Sequence, residues 1–147
     1  MTSQPEIKLS VRNLVEFMLR CGNIDSQFIS NASALEGTRA HQKVQKDNQD
    51  KGYTPEVSLK YSFTYEGFNF RLEGRADGII ASATGIIVDE IKSTNRPLES
   101  IDEDYSETHW AQAKCYAFIY AIHHELPEIS VQLTYFQLDS DELQPFL

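Results

Sequence analysis

The stretch from Tyr53 to Ser93 changes to a period of two, with apolar and polar residues alternating most plainly in VSLKYSFTYEGFNFRLEGRADGII. That is the period of a β-strand, whose successive side chains point to opposite faces of a sheet. Glu66-Gly67 supplies a hairpin turn between the first two runs, and SATG from Ser82 to Gly85 makes the second. The pattern predicts three strands, roughly 56–65, 68–80 and 85–92, joined as an antiparallel meander.

The flanks of the meander carry a different period. SVRNLVEFMLRCG places Val11, Leu14, Val15, Met18 and Leu19 at helical spacing, with a serine at its start and Gly22 at its stop. NASALEGTRAHQKVQK reads as a second helix, with Ser33 and Glu36 in capping-box spacing and His41 one turn after Gly37. YSETHWAQAKCYAFIYAIHHELP predicts a long helix from about Ser106 to Glu125, closed by Pro127, and ISVQLTYFQL predicts a strand. The expected order is α-α-β-β-β-α-β. A strand that follows a crossover helix commonly lies parallel to an earlier one. An α/β fold follows, with a mixed sheet of about four strands, the meander plus one parallel strand, flanked by helices.

Composition sets the limits on function. A chain of 147 residues with 41% apolar content suits a single domain with one core. No apolar run approaches the roughly 18 residues needed to cross a bilayer, and MTSQPEIKLS is too polar for a signal peptide, so a cytoplasmic location without membrane contact is expected. Cys21 and Cys115 lie far apart and form no close-spaced metal pair; reduced, partly buried thiols are expected. The formal net charge of −9 disfavours strong, unassisted binding to nucleic acid. Five of the acids fall in ESIDEDYSE, from Glu99 to Glu107, which reads as a solvated loop leading into the long helix.

Within the third strand, VDEIKST holds a Glu-x-Lys triplet, Glu90-Ile91-Lys92, and a second copy occurs as Glu6-Ile7-Lys8. Their surroundings separate them. The first copy lies in a terminal polar segment with no acid nearby, whereas strand alternation projects Glu90 and Lys92 from the same face. Asp77, in GRADGII, precedes the turn near Ala83 and Thr84, so antiparallel pairing brings it close to Glu90. Two carboxylates beside a lysine repel unless a cation joins them, and hard oxygen ligands suit Mg²⁺ or Mn²⁺. A lysine beside such an ion can orient or deprotonate an attacking water and offset charge growing on a phosphate. A group of exposed cross-strand charges would have the same composition and no chemistry.

Taken together, GRADGII, VDEIKST about a dozen residues later and QAKCY on the next helix resemble the PD-(D/E)XK nuclease superfamily, and more narrowly its RecB-type exonucleases. The likeness covers about residues 33–138 and implies a restriction-endonuclease-like core. It implies metal binding by Asp77, Glu90, the main-chain carbonyl of Ile91 and, through the Gly37 to His41 segment GTRAH, by His41. It makes Lys92 the residue that activates water, and it gives Gln112 and Tyr116, in a Gln-x-x-x-Tyr helix, the task of positioning the strand. Asp89 adjoins Glu90, and strand parity with Lys92 favours Glu90 as the ligand. Several RecB-type relatives hold an iron-sulfur cluster with four cysteines; two distant cysteines cannot, so no cluster is expected.

The expected activity is hydrolysis of DNA by a Mg²⁺- or Mn²⁺-dependent exonuclease, on single-stranded ends in repair or recombination. RecB-type nucleases resemble parts of helicase-nuclease machines, which would explain the acidic composition if a motor module delivers the strand. The end at DELQPFL, soon after the last strand, is compatible with a fragment of such a protein. A structure-specific endonuclease and a catalytically silent binding or docking module are the rival readings.

Overall fold

The computed structural model describes residues 4–19 and 31–147. Among them are strands β1 (Glu6–Ser10), β2 (Tyr53–Tyr65), β3 (Phe68–Ser82), β4 (Gly85–Thr94), β5 (Ser130–Gln137) and β6 (Leu143–Phe146). The helices are α1 (Val11–Met18), α2 (Asn31–Asp47) and α3 (Glu107–His123). The meander stands as expected: β2 pairs with β3 and β3 with β4, both antiparallel, while β5 lies parallel to β4. Glu66 and Gly67 both have positive φ, 47° and 79°, the conformation that a two-residue hairpin turn requires.

Two corrections concern the ends of the sheet. Residues 6–10 are not a terminal polar segment but a strand, which pairs parallel to β3 from Glu6 opposite Asn69 to Ser10 opposite Glu73. The short β6 adds an antiparallel edge beside β5. Among the described residues the sheet therefore has six strands where the periodicity gave about four. Both extra strands are short, mostly exposed edges, and an edge strand has too little buried face to show alternation.

Helices cover both faces. On one, α1 and α3 pack with Val11, Val15, Ala117 and Ile119 against Leu59, Leu72, Ala76 and Val88. On the other, α2 seats Ala40 and Val44 on Ile91 and Phe136. β4 is buried on both sides, which is why IIVDEIK reads as nearly continuous apolar sequence around its charged residues. Ser10 and Ser106 cap α1 and α3, their hydroxyls accepting from the N–H groups of Asn13 and His109. The helix α2 starts at Asn31, ahead of Ser33, and the side chain of Ser33 lies outside the described residues, as do Cys21 and the Gly22 stop signal.

The feature that makes a site is a fork in the sheet. β2 lines one edge of β3 almost throughout, so β1 and β4 must share the other edge: β1 takes residues 69–73 and β4 takes 78–82. Between them, residues 74–77 of β3 have no strand beside them on that edge among the described residues. β4 leaves β3 after Asp89, opposite Gly78, and continues to Thr94 paired only with β5. On the other edge the β2–β3 register omits Glu56 and Asp77, and Glu56 has φ of 53°. The main chain of Asp77 thus lies at a break on both sides.

Candidate active site

Asp77 turns its carboxylate into the fork. Its Oδ2 accepts from the main-chain N–H of Ile91 at 2.8 Å, standing in for the ladder bond that β3 and β4 no longer make. In extended backbone the N–H and C=O of one residue point the same way, so the Ile91 carbonyl also faces the fork. Asp77 Oδ1 lies 3.3 Å from His41 Nδ1 on α2. Burial alone would lower the pKa of His41, but the hydrogen bond to Asp77 and the charges of Asp77 and Glu90 outweigh it and raise the value. Gly37, one turn earlier, brings α2 over Ser93: a Cβ there would lie 3.5 Å from Ser93 Oγ.

Glu90 and Lys92 project together on the α3 side, with Lys92 Nζ 3.0 Å from Glu90 Oε1. The same ammonium donates to Gln112 Oε1 at 2.9 Å, and Gln112 Nε2 lies 3.5 Å from the Tyr116 hydroxyl. The ring of Tyr116 lies over Gly74, in the unpaired segment of β3; a Cβ at Gly74 would be 2.5 Å from Tyr116 Cε1. Gln112 and Tyr116 are both buried, 8% and 4% exposed. In the free protein they form a chain that holds Lys92 in place, a connection the i, i+4 spacing did not disclose.

Asp89 faces the other way. Buried at 1% exposure, it accepts from Thr134 Oγ1 at 2.6 Å, Tyr53 Oη at 3.0 Å and Gln132 Nε2 at 3.2 Å. Gly78 leaves room for the Tyr53 ring, which a Cβ would strike. With its hydrogen-bond capacity met by protein donors, Asp89 anchors β4 from behind the fork, and Glu90 is the acid that stands beside Lys92.

Further members had no motif to announce them. Gln45, one turn after His41 on α2, donates from Nε2 to the Asp77 carbonyl at 3.1 Å, satisfying a group freed by the break opposite Glu56. His109, one turn before Gln112 on α3, has Nδ1 2.9 Å from the Tyr135 hydroxyl, and Tyr135 is the β5 partner of Lys92. Burial and the nearby Lys92 charge push the pKa of His109 down to about 4, so its ring is neutral at physiological pH. Helical spacing from His41 and from Gln112 was the only signal available for either residue.

Glu90 Oε2 is buried and has no hydrogen-bond partner among the described residues. Burial, then the charge of Asp77, push its pKa up to about 7 in spite of Lys92. A buried carboxylate oxygen without a donor, beside a second carboxylate, fits a hard cation. No three His, Cys, Asp or Glu side chains among the described residues stand together as a ready chelating group; His41 lies against Asp77 and Lys92 against Glu90.

The sequence pattern of the PD-(D/E)XK nuclease superfamily matches residues 24–145, most of the chain. The chain belongs to the PD-(D/E)XK nuclease superfamily. Among solved structures, the crystal structure of SSO0001 aligns with 99% of this chain and 68% of its own, with a TM-score of 0.65 and 19% identity, a likeness of fold. No curated protein matches the sequence. Nucleases of this superfamily generally use divalent metals such as Mg²⁺ or Mn²⁺, and membership implies nucleic acid as the general substrate class. No helix among the described residues is long and apolar enough to cross a membrane.

Proposed function

We propose that the chain is a Mg²⁺- or Mn²⁺-dependent DNA exonuclease of the RecB type that trims single-stranded ends in repair or recombination. The observation that carries this reading is the fork, where Asp77 accepts from the Ile91 N–H between Glu90 and Lys92, and Glu90 Oε2 has no hydrogen-bond partner among the described residues. Asp77, Glu90, the Ile91 carbonyl and His41 would hold the ion. When bound, the ion would supply Lewis acidity toward a phosphate oxygen and a lowered pKa for water.

The chain's own residues do the rest. Lys92, anchored by Gln112, holds a positive charge where charge develops on the phosphate and orients the attacking water. Tyr116 and Gln112 set the direction of that ammonium and border the path of the strand. Gln45 and the Ile91 N–H fix Asp77, so its carboxylate needs little reorganisation.

The net charge of −9 supports delivery of the strand by a helicase module, in the same or a partner chain, to a single nuclease domain. The two cysteines support a domain without an iron-sulfur cluster. Incubating the purified protein with end-labelled and with circular single-stranded DNA, in Mn²⁺ or in EDTA, tests the proposal. Mn²⁺-dependent loss of linear DNA only is the expected result. Cutting of the circle would make it an endonuclease, and no cutting of either would leave a silent module.

A further inference from the structure

Next to Lys92, on the β5 side of β4, stands a group that the metal site does not use. Tyr135, the β5 partner of Lys92, touches two rings: Tyr105, edge-on with centroids 5.8 Å apart, and His109, also at 5.8 Å. Tyr105 is 37% exposed, and the guanidinium of Arg96 lies over its ring, 5.5 Å from the centroid. Arg96 is exposed and makes no ion pair among the described residues. In a chain of net charge −9, a cation without a carboxylate, held above an open aromatic ring beside the lysine of the site, calls for an anionic, flat ligand.

The acidic tract around Tyr105 does not spoil this. Glu103, Asp104 and Glu107 line a cavity of about 640 Å³ with Leu19, Trp110 and Lys114. Glu107, Trp110 and Lys114 are spaced along one side of α3, whereas His109, Gln112 and Tyr116 are spaced along another, since 107 and 109 are about 200° apart around a helix. Glu107 therefore lies on the side of α3 away from Gln112, which holds Lys92, Glu103 and Asp104 share its cavity, and Trp110 ties the tract down by donating from Nε1 to the Glu103 carbonyl at 2.6 Å. That acidic cavity is unsuited to a phosphate chain. The Tyr105 side is suited to one.

We propose that Tyr105 and Arg96 form a subsite for one nucleotide of a single strand flanking the scissile phosphate, with the base stacked on Tyr105, its phosphate against Arg96, and His109 and Tyr135 seating the ring. This rests on the nuclease reading above. A stacked base and a bound phosphate at this position would hold the neighbouring phosphate in front of Lys92, so the subsite sets affinity and placement, and the chemistry stays at the fork.

The test measures binding of a fluorescent single-stranded oligonucleotide by anisotropy in Ca²⁺, and its cleavage in Mn²⁺, for wild type, Tyr105→Ala, Tyr105→Phe and Arg96→Gln. Lys60→Gln, an exposed cation on β2, serves as control. Tyr105→Ala should weaken binding about tenfold and Tyr105→Phe hardly at all, as stacking requires. Arg96→Gln should weaken it about threefold and reduce the slope of log affinity against log salt by about 0.7, one phosphate contact on a single strand. An oligonucleotide with abasic sites throughout should bind wild type and Tyr105→Ala equally. If wild type cleaves but Tyr105→Ala and Arg96→Gln bind as wild type does, the subsite is wrong and the nuclease assignment stands. If wild type neither binds nor cleaves, both fall.

Discussion

The main-chain N–H of Ile91 donates to Asp77 Oδ2 at 2.8 Å, a side-chain bond across the very point where β3 and β4 stop pairing. It ties the two halves of the site together: Ile91 lies between Glu90 and Lys92, so any movement of Asp77 moves the strand that carries both. Asp77→Asn should keep this acceptor while removing charge. Asp77→Ala should lose it, leave a buried N–H unpaired and cost about 1–3 kcal/mol. Comparing the two melting temperatures separates the structural part of Asp77 from its chemical part.

Metal binding gives the most direct check of the paired acids. Mn²⁺ should raise the melting temperature of the wild type, because a ligand bound to the folded state stabilises it. Asp77→Asn combined with Glu90→Gln should abolish that rise. An unchanged rise in the double variant would place the ion elsewhere.

The pH dependence of the metal-free protein follows from Glu90. Its pKa is raised to about 7 from 4.5, with burial the first cause, so between those values the folded state holds the proton more tightly than the unfolded chain. Stability from this group is present below about 4.5 and is lost as pH rises through 7. His109 opposes it: with its pKa lowered to about 4, its contribution is lost as pH falls from 6.5 toward 4. Denaturant titrations of wild type against Glu90→Gln isolate the Glu90 part. The difference between them should shift in favour of the variant by on the order of 2 kcal/mol from pH 4.5 to pH 8.

The meander and the long helix were legible because each depends on local period and on turn positions; the β3–β4 pairing stops at Gly78 and Asp89, so Asp77 reaches β4 through its side chain, on the Ile91 N–H. Strand parity sufficed to set Glu90 and Lys92 on one face and Asp89 on the other. What was not legible depends on contacts between distant segments. β1 could not be recognised because EIKLS is a short, largely exposed edge whose strand partner among the described residues is 63 residues away, Glu6 to Asn69. The sheet's fork was hidden for the same reason, since it exists only because β1 and β4 divide one edge of β3. Gln45 and His109 belong to no motif; they meet the site because α2 and α3 pack on opposite faces of the sheet.

The two Glu-x-Lys triplets remain a useful pair, although both now lie on strands. Lys8 is exposed on β1, opposite Arg71, whereas Lys92 bridges Glu90 and Gln112. Lys92→Ala should abolish cleavage, while Lys8→Ala should leave activity intact and change stability by less than about 0.5 kcal/mol. Equal loss from both would show that position on the fork does not matter.

The last expectation concerns the chain from Lys92 through Gln112 to Tyr116. Gln112→Ala removes the acceptor that holds the ammonium at 2.9 Å, leaving Lys92 to turn toward Glu90 or solvent. A misdirected charge contributes less at the developing phosphate charge, so single-turnover cleavage should slow by 10- to 100-fold with Mn²⁺ affinity unchanged. Tyr116→Phe keeps the ring over Gly74 and removes only the 3.5 Å contact to Gln112, so its melting temperature should stay within a degree or two and its rate should fall less. Tyr116→Ala is different in kind: the ring is 4% exposed within the main core cluster, and its loss should cost on the order of 3 kcal/mol. Gly74→Ala approaches the same contact from the other side, since the new methyl would press on Tyr116 Cε1 and shift the hydroxyl away from Gln112. If Gly74→Ala and Gln112→Ala slow cleavage alike and the double variant is no slower than either, the two act through Lys92. Multiplying effects would mean that Gln112 and Tyr116 touch the strand independently.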